Sequence, residues 1–256
     1  METSMRYLVI IGLLFSSVVK AEKTFTNIVE IVTKSTVAVA YVAPIESKAA
    51  QIMGTGFVVG NGEWLITNYH VVDRQLDPSI ISYFAAVIGF GTKTANIKAE
   101  LVSIDPHHDL ALLKLNKKLP PLKLASITLL KPGEEIAFTG FPIGSVLGVY
   151  PATHRGIISA LTPDTLPVAR AKQLSSINIS RLASPGIAYQ LDATAFPGNS
   201  GSPMYNPSTG EVVGVINKVF VSDGKESVLT NPSGITYAIP VEHVIKLLKN
   251  QGVRLN

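Results

Sequence analysis

The sequence predicts an all-β protein of sandwich or barrel type, and three observations carry that reading. Short runs rich in Val, Ile, Thr and aromatic residues recur along the chain, bounded by Gly, Pro, Asn or Asp. Gly60-Asn61-Gly62 separates two such runs, and these residue types tolerate the positive φ that a tight hairpin demands. Apolar residues at helical spacing occur only near the two ends of the 256-residue chain. The length suits one large or two small domains. With 46% apolar and 16% charged residues, the chain can build a sizeable core and is not expected to be disordered.

The first residues carry an export pattern. Arg6 precedes an apolar run from Tyr7 to about Val19, and Val19-Lys20-Ala21 offers small residues where a signal peptidase reads. The run falls short of the ~20 residues that span a bilayer. A leader over residues 1–21, removed after Ala21, is therefore expected, with the mature protein over 22–256; the alternative is a leader kept as an anchor. The absence of cysteine excludes thiolate catalysis and cysteine–metal sites, and fits a bacterial periplasm or cell exterior better than an animal fluid. The formal charge of +4 falls to 20 basic against 17 acidic residues once Glu2, Arg6 and Lys20 leave with the leader. That balance is too mild and dispersed to argue for a nucleic-acid partner.

After the leader, Phe25, Ile28, Val29 and Val32 share one face of a short helix running to Lys34, and Thr36–Val42 reads as a strand. Two strand-like runs flank the Gly60-Asn61-Gly62 turn, with His70 at the end of the second. Residues 80–104 hold further strand material. Asp105-Pro106-His107-His108-Asp109 is a turn, and Leu110–Leu115 is a buried strand. Residues 117–132 form a proline-containing boundary between two units. Strands follow at 135–140 and 154–160, then long loops over 161–187, where Asn178-Ile179-Ser180 is a sequon expected to be unused. Further strands are read at 211–216, 218–221 and 235–239, with a loop over 222–234. Pro240 opens a terminal helix, 241–249, whose Val241, Val244, Ile245 and Leu248 share a face.

The stretch with the strongest chemical content is Phe196-Pro197-Gly198-Asn199-Ser200-Gly201-Ser202-Pro203-Met204. A serine on a glycine-rich turn can serve as a nucleophile, and the amides around it can face a developing oxyanion. Alone, the same residues also describe an ordinary tight turn. The serine needs an imidazole base and a carboxylate to orient it. His70 and Asp109 supply both types, each beside a strand, in the order His, Asp, Ser that chymotrypsin-type proteases use. Asp105 is the competing carboxylate; Asp109 is preferred because it abuts the apolar strand. His107 and His108 read as solvated turn residues, and His154 and His243 as structural. No His, Asp and Glu set has metal-ligand spacing, so neither a metal nor a cofactor is expected.

Three segments, Thr67-Asn68-Tyr69-His70-Val71-Val72, Asp109-Leu110-Ala111-Leu112-Leu113-Lys114-Leu115 and Gly198-Asn199-Ser200-Gly201-Ser202-Pro203, resemble the signatures of HtrA (Deg)-like trypsin-fold serine proteases. Gly54-Thr55-Gly56-Phe57, Gly140-Phe141-Pro142-Ile143-Gly144, Gly156-Ile157-Ile158-Ser159 and Tyr237-Ala238-Ile239-Pro240 resemble secondary segments of the same family, and the likeness covers about residues 25–250. The resemblance implies two six-stranded antiparallel β-barrels, about 35–120 and 130–240, with the active site between them. It implies Ser200 as nucleophile, His70 as general base, Asp109 as orienting carboxylate, and the Gly198 and Ser200 amides as oxyanion hole.

Further expectations rest on that resemblance. Chymotrypsin-like zymogens mature when a new N-terminus pairs with an aspartate just before the serine. Here that position is Asn199, so no activation by that route is expected. Thr194, at the base of the specificity pocket, is not an acid. Ser200-Gly201-Ser202-Pro203 also resembles secreted glutamyl endopeptidases, but their pocket histidine is replaced by Ile216. An uncharged, mostly apolar residue is therefore expected before the scissile bond. Family members usually carry PDZ domains and often form trimers; this chain is expected to lack a PDZ domain, and Phe25 is a candidate for the trimer contact. The expected partners are protein or peptide substrates, with no membrane in the mature form. The alternative reading is an inactive trypsin-fold protein that binds unfolded or partner proteins. An esterase of the α/β-hydrolase type is disfavoured, because Gly-x-Ser-x-Gly is not matched and alternating helices are missing.

Overall fold

The computed structural model describes residues 24–47, 49–76, 78–143, 148–164, 185–219 and 235–255. The expected leader, the sequon at Asn178, Gly144 and the 222–234 loop lie outside these residues.

Helix α1, Phe25–Ser35, opens the described chain, with Thr24 as its N-cap. Its Ile28 and Val32 are buried, as the sequence spacing requires. The first barrel then closes in the strand order β1-β2-β3-β6-β5-β4. Its strands are β1 Thr36–Val42, β2 Gln51–Val59, β3 Trp64–Thr67, β4 Tyr83–Phe90, β5 Lys93–Asp105 and β6 Leu110–Leu115. The hairpin turn between β2 and β3 places Gly60 at φ 63° and Gly62 at φ 93°, the conformation that its sequence signalled. The second barrel closes in the order β10-β11-β12-β9-β8-β7. Its strands are β7 Glu135–Gly140, β8 Ala152–Pro163, β9 Ile187–Asp192, β10 Pro203–Tyr205, β11 Val212–Val219 and β12 Ile235–Pro240. The terminal helix, here α3, spans Val241–Asn250. The expected pair of six-stranded antiparallel barrels is thus the observed architecture.

The alternation of a strand explains why several of these runs are apolar throughout. In β6, Ala111 and Leu113 point into the first barrel with Val37, Val39, Phe84 and Ala86. Leu110 and Leu112 point the other way, into a separate core shared with α1, α3 and the second barrel's Tyr205, Val212 and Val215. Both faces are therefore dry. The second barrel has its own interior around Ile136, Phe138, Ile158, Tyr189, Leu191 and Met204.

Three boundaries differ from the sequence reading. His70 follows β3 rather than ending it, in a single-turn helix α2, Tyr69–Val72. The cause is long-range: the Tyr69 N–H and the Asn68 side chain both donate to the Asp109 carbonyl, at 3.0 Å each, and draw the chain out of the ladder. Strands β9 and β10 have no counterpart in the sequence reading; β9 fell within or next to a stretch read as loop, and β10 is a three-residue strand begun by Pro203. Strand β8 extends to Pro163, into the same stretch.

Candidate active site

Asp109 begins from an unusual backbone. Its φ is 55°, in the left-handed region that few non-glycine residues occupy. The carboxylate is buried, and both oxygens are engaged by one residue. Oδ1 accepts the His70 backbone N–H at 2.9 Å, and Oδ2 lies 2.7 Å from His70 Nδ1. An ionised carboxylate only accepts, so Nδ1 donates in this contact, and in the neutral imidazole this places the lone pair on Nε2. The competing Asp105 does not approach His70; it bonds His108 instead, at 2.7 Å to Nδ1 and 3.1 Å to the backbone N–H.

Ser200 sits on the turn between β9 and β10, docked against the first barrel. Its carbonyl accepts the Thr55 N–H at 2.8 Å. A Cβ added to Gly54 would lie 3.0 Å from that carbonyl and 2.7 Å from Val71 Cγ2, so Gly54 lets the serine turn and helix α2 close on the same strand. The Ser200 hydroxyl donates to the Asn217 carbonyl at 3.2 Å. Among the described residues this is its hydrogen bond, not one to His70.

The turn is held from both barrels. Thr55 Oγ1 donates to the Gly198 carbonyl at 2.6 Å and accepts the Phe141 N–H at 3.0 Å. The Ile143 N–H donates to the Pro197 carbonyl at 2.7 Å. The Pro197–Gly198 peptide is trans, so the Gly198 N–H points opposite to the Pro197 carbonyl, away from Ile143. Among the described residues neither the Gly198 nor the Ser200 amide has a hydrogen-bond partner. Gly198 has φ 99°, and a Cβ there would run into the Phe141 carbonyl. Ile143 itself has φ 51°, costly for a β-branched residue. Thr55, Phe141, Ile143 and Asn217 were not assigned these roles from sequence. The signal was present in part, since Gly54–Phe57 and Gly140–Gly144 were matched as motifs.

Asn199 is buried, and its amide lies beneath Gly140 beside the Ser202 hydroxyl. Thr194 is half-buried on the approach to the turn. Ile216 is fully buried in the core of the second barrel; its N–H donates to the Ser202 carbonyl and its carbonyl accepts the Gly201 N–H, at 2.9 Å each. Phe196 lies beside His154, whose ring stacks on Phe138 and whose pKa burial lowers. His108 departs from the sequence reading, whereas His243 packs as a structural residue. His108 is largely buried rather than solvated, and its ring stacks on that of His243 with centroids 3.8 Å apart. No group of three or more His, Asp or Glu among the described residues is arranged to hold a metal ion.

Two closed six-stranded barrels with a serine turn bridged between them define a trypsin-like protease fold. A model of the trypsin-like peptidase domain matches residues 54–215, and the chain belongs to that family. A probable periplasmic serine endoprotease, DegP-like, from Pseudomonas putida is 32% identical over 209 residues, 80% of this chain and 36% of the relative. A protein of the same description from Halomonas elongata is 31% identical over 210 residues, 80% of this chain and 37% of the relative. The chain therefore spans about a third of the length of these curated relatives. Among solved structures, the active form of the Rv3671c protease from M. tuberculosis superposes with a TM-score of 0.65 at 21% identity, covering 89% of this chain and 85% of that one. The HtrA-type protease AlgW with a decapeptide gives 0.64 at 21% identity, covering 89% and 67%.

Proposed function

We propose that the protein is an exported serine endopeptidase that cleaves peptide bonds through an acyl-enzyme. Ser200 Oγ leaves the Asn217 carbonyl and attacks the scissile carbonyl carbon, passing its proton to His70 Nε2. Asp109 holds the imidazole in the required tautomer and stabilises it when charged. The oxyanion forms at the Gly198 and Ser200 amides. His70 then gives its proton to the leaving amine, and water repeats the sequence on the acyl-enzyme. The observation that carries this reading is the two-point grip of Asp109 on His70, which leaves Nε2 as a base. The outward Gly198 amide supports the oxyanion hole, and serine–histidine contacts are often loose without substrate.

Thr194, half-buried on the approach to the serine turn, carries no charge and supports an uncharged, mostly apolar residue before the scissile bond; Ile216, fully buried in the second barrel, puts no charge near it. Export to the periplasm is supported by the leader pattern and by the descriptions of the DegP-like relatives; no helix among the described residues is long and apolar enough to cross a membrane. Assembly into homo-oligomers, trimers by family likeness, belongs to the same proposal. A fluorophosphonate probe tests the core of it: the folded protein should be labelled at Ser200, and S200A should not be. A folded sample that resists labelling would favour the inactive, chain-binding alternative.

A further inference from the structure

A second aspartate–histidine pair lies outside the candidate active site. Asp105 grips His108 as Asp109 grips His70, through the backbone N–H and Nδ1. This closes the turn whose next residue is Asp109, in its left-handed conformation. His108 does not stop there. Its ring stacks on His243 of α3 at 3.8 Å between centroids and 20° between planes, and His107 packs edge-on against it at 4.6 Å. Three imidazoles thus join the terminal helix to the turn that presents Asp109. Helix α3 is itself anchored by Val241, Val244, Ile245 and Leu248 in the core between the barrels.

We propose that the His108–His243 stack is an acid-sensitive latch: with the His243 ring neutral it pins the Asp105–Asp109 turn to α3, and protonation of His243 frees the turn and slows the chemistry at Ser200. The link to the chemistry rests on the reading of Asp109 as the orienting carboxylate. The groups facing His243 from the turn are Asp105, His107 and His108; its own helix adds Glu242, 3.5 Å away, and Lys246. Strand β5 contributes only Asp105, and no titratable group of the described residues of β6, β11 and β12 shifts it. Burial, then His108, Lys246 and His107, oppose a charge on His243, while Asp105 favours one; the net effect pushes its pKa down to about 4. Asp105, by contrast, stays ionised more readily than usual: burial pushes its pKa up, but the bonds from His108 outweigh this and lower it.

A histidine whose folded pKa lies below its unfolded value is held neutral by the fold. Above about pH 6.5 the latch carries no penalty. As pH falls from there to about 4, the released form takes up a proton that the latched form refuses, and release becomes more favourable, on the order of a hundredfold across that window.

The test uses the full chain. In the S200A background, the thermal midpoint is followed from pH 8 to 4 with and without H243F, which keeps an aromatic stack but cannot titrate; H243L serves if H243F fails to fold. The rate of Ser200 labelling by a fluorophosphonate is followed from pH 8 to 5 in the otherwise native chain and in H243F. H243F should blunt the fall in thermal midpoint below pH 6.5. It should also convert an acid limb steeper than one proton into a single-proton limb, with neutral-pH labelling within about twofold of native. Superimposable thermal profiles would overturn the latch. Altered thermal profiles with identical labelling profiles would overturn its link to Asp109. Absence of labelling at every pH would sink the hydrolase reading and that link together, while the thermal comparison would still decide whether the latch exists.

Discussion

At the scale of the residue, the candidate site depends on backbone placed where side chains are rarely tolerated. Gly198 combines a positive φ with a neighbouring carbonyl that leaves no room for a Cβ. An alanine there must move the Pro197–Gly198 peptide and misdirect the Gly198 amide. G198A should therefore retain the fold by circular dichroism yet lose about 10²–10³ in fluorophosphonate labelling rate, the cost of one oxyanion-hole donor. An unchanged rate would remove Gly198 from that role. Asn199 illustrates a different constraint. An amide can rest buried beside Ser202 and Gly140, whereas a carboxylate there would need a cation.

At the scale of the element, helix α3 and strand β6 do more than complete the barrels. The sequence period of α3 foretold its buried face, but not that the face would meet α1, β6 and the second barrel in one core. Leu248 is fully buried there. L248A should lower the unfolding free energy by about 2–5 kcal/mol, measured by urea denaturation in the S200A background. A loss near zero would mean that α3 docks without contributing to that core. Strand β6 was legible because Leu110–Leu113 are dry on both faces, which leaves an apolar run broken only by the exposed Lys114. Strand β10 was not, because three residues beginning with Pro203 carry no period, and only pairing with β7 and β11 makes them a strand.

At the scale of the whole molecule, the chemistry is assembled between barrels that are distant in sequence. Thr55 of the first barrel bridges Gly198 and Phe141 of the second, and the Ser200 carbonyl closes on β2. With Thr194 uncharged beside the serine turn, a proteome-derived peptide library should show cleavage after uncharged, mostly apolar residues with the native protein and none with S200A. Predominant cleavage after Lys, Arg, Asp or Glu would overturn that specificity.

The sequence by itself determined the all-β class, the hairpin at Gly60-Asn61-Gly62, the terminal helices, and the order His70, Asp109, Ser200. Those features follow from local pattern: alternation, helical period, turn residues and motif spacing are each written within a dozen residues. The tertiary structure decided which carboxylate meets which histidine, that the Ser200 hydroxyl turns to Asn217, and that Thr55 and Ile143 hold the serine turn. It also decided that His108 stacks, largely covered, on His243. Closing two barrels against each other fixes such distances, and no local pattern in the chain records where they will fall.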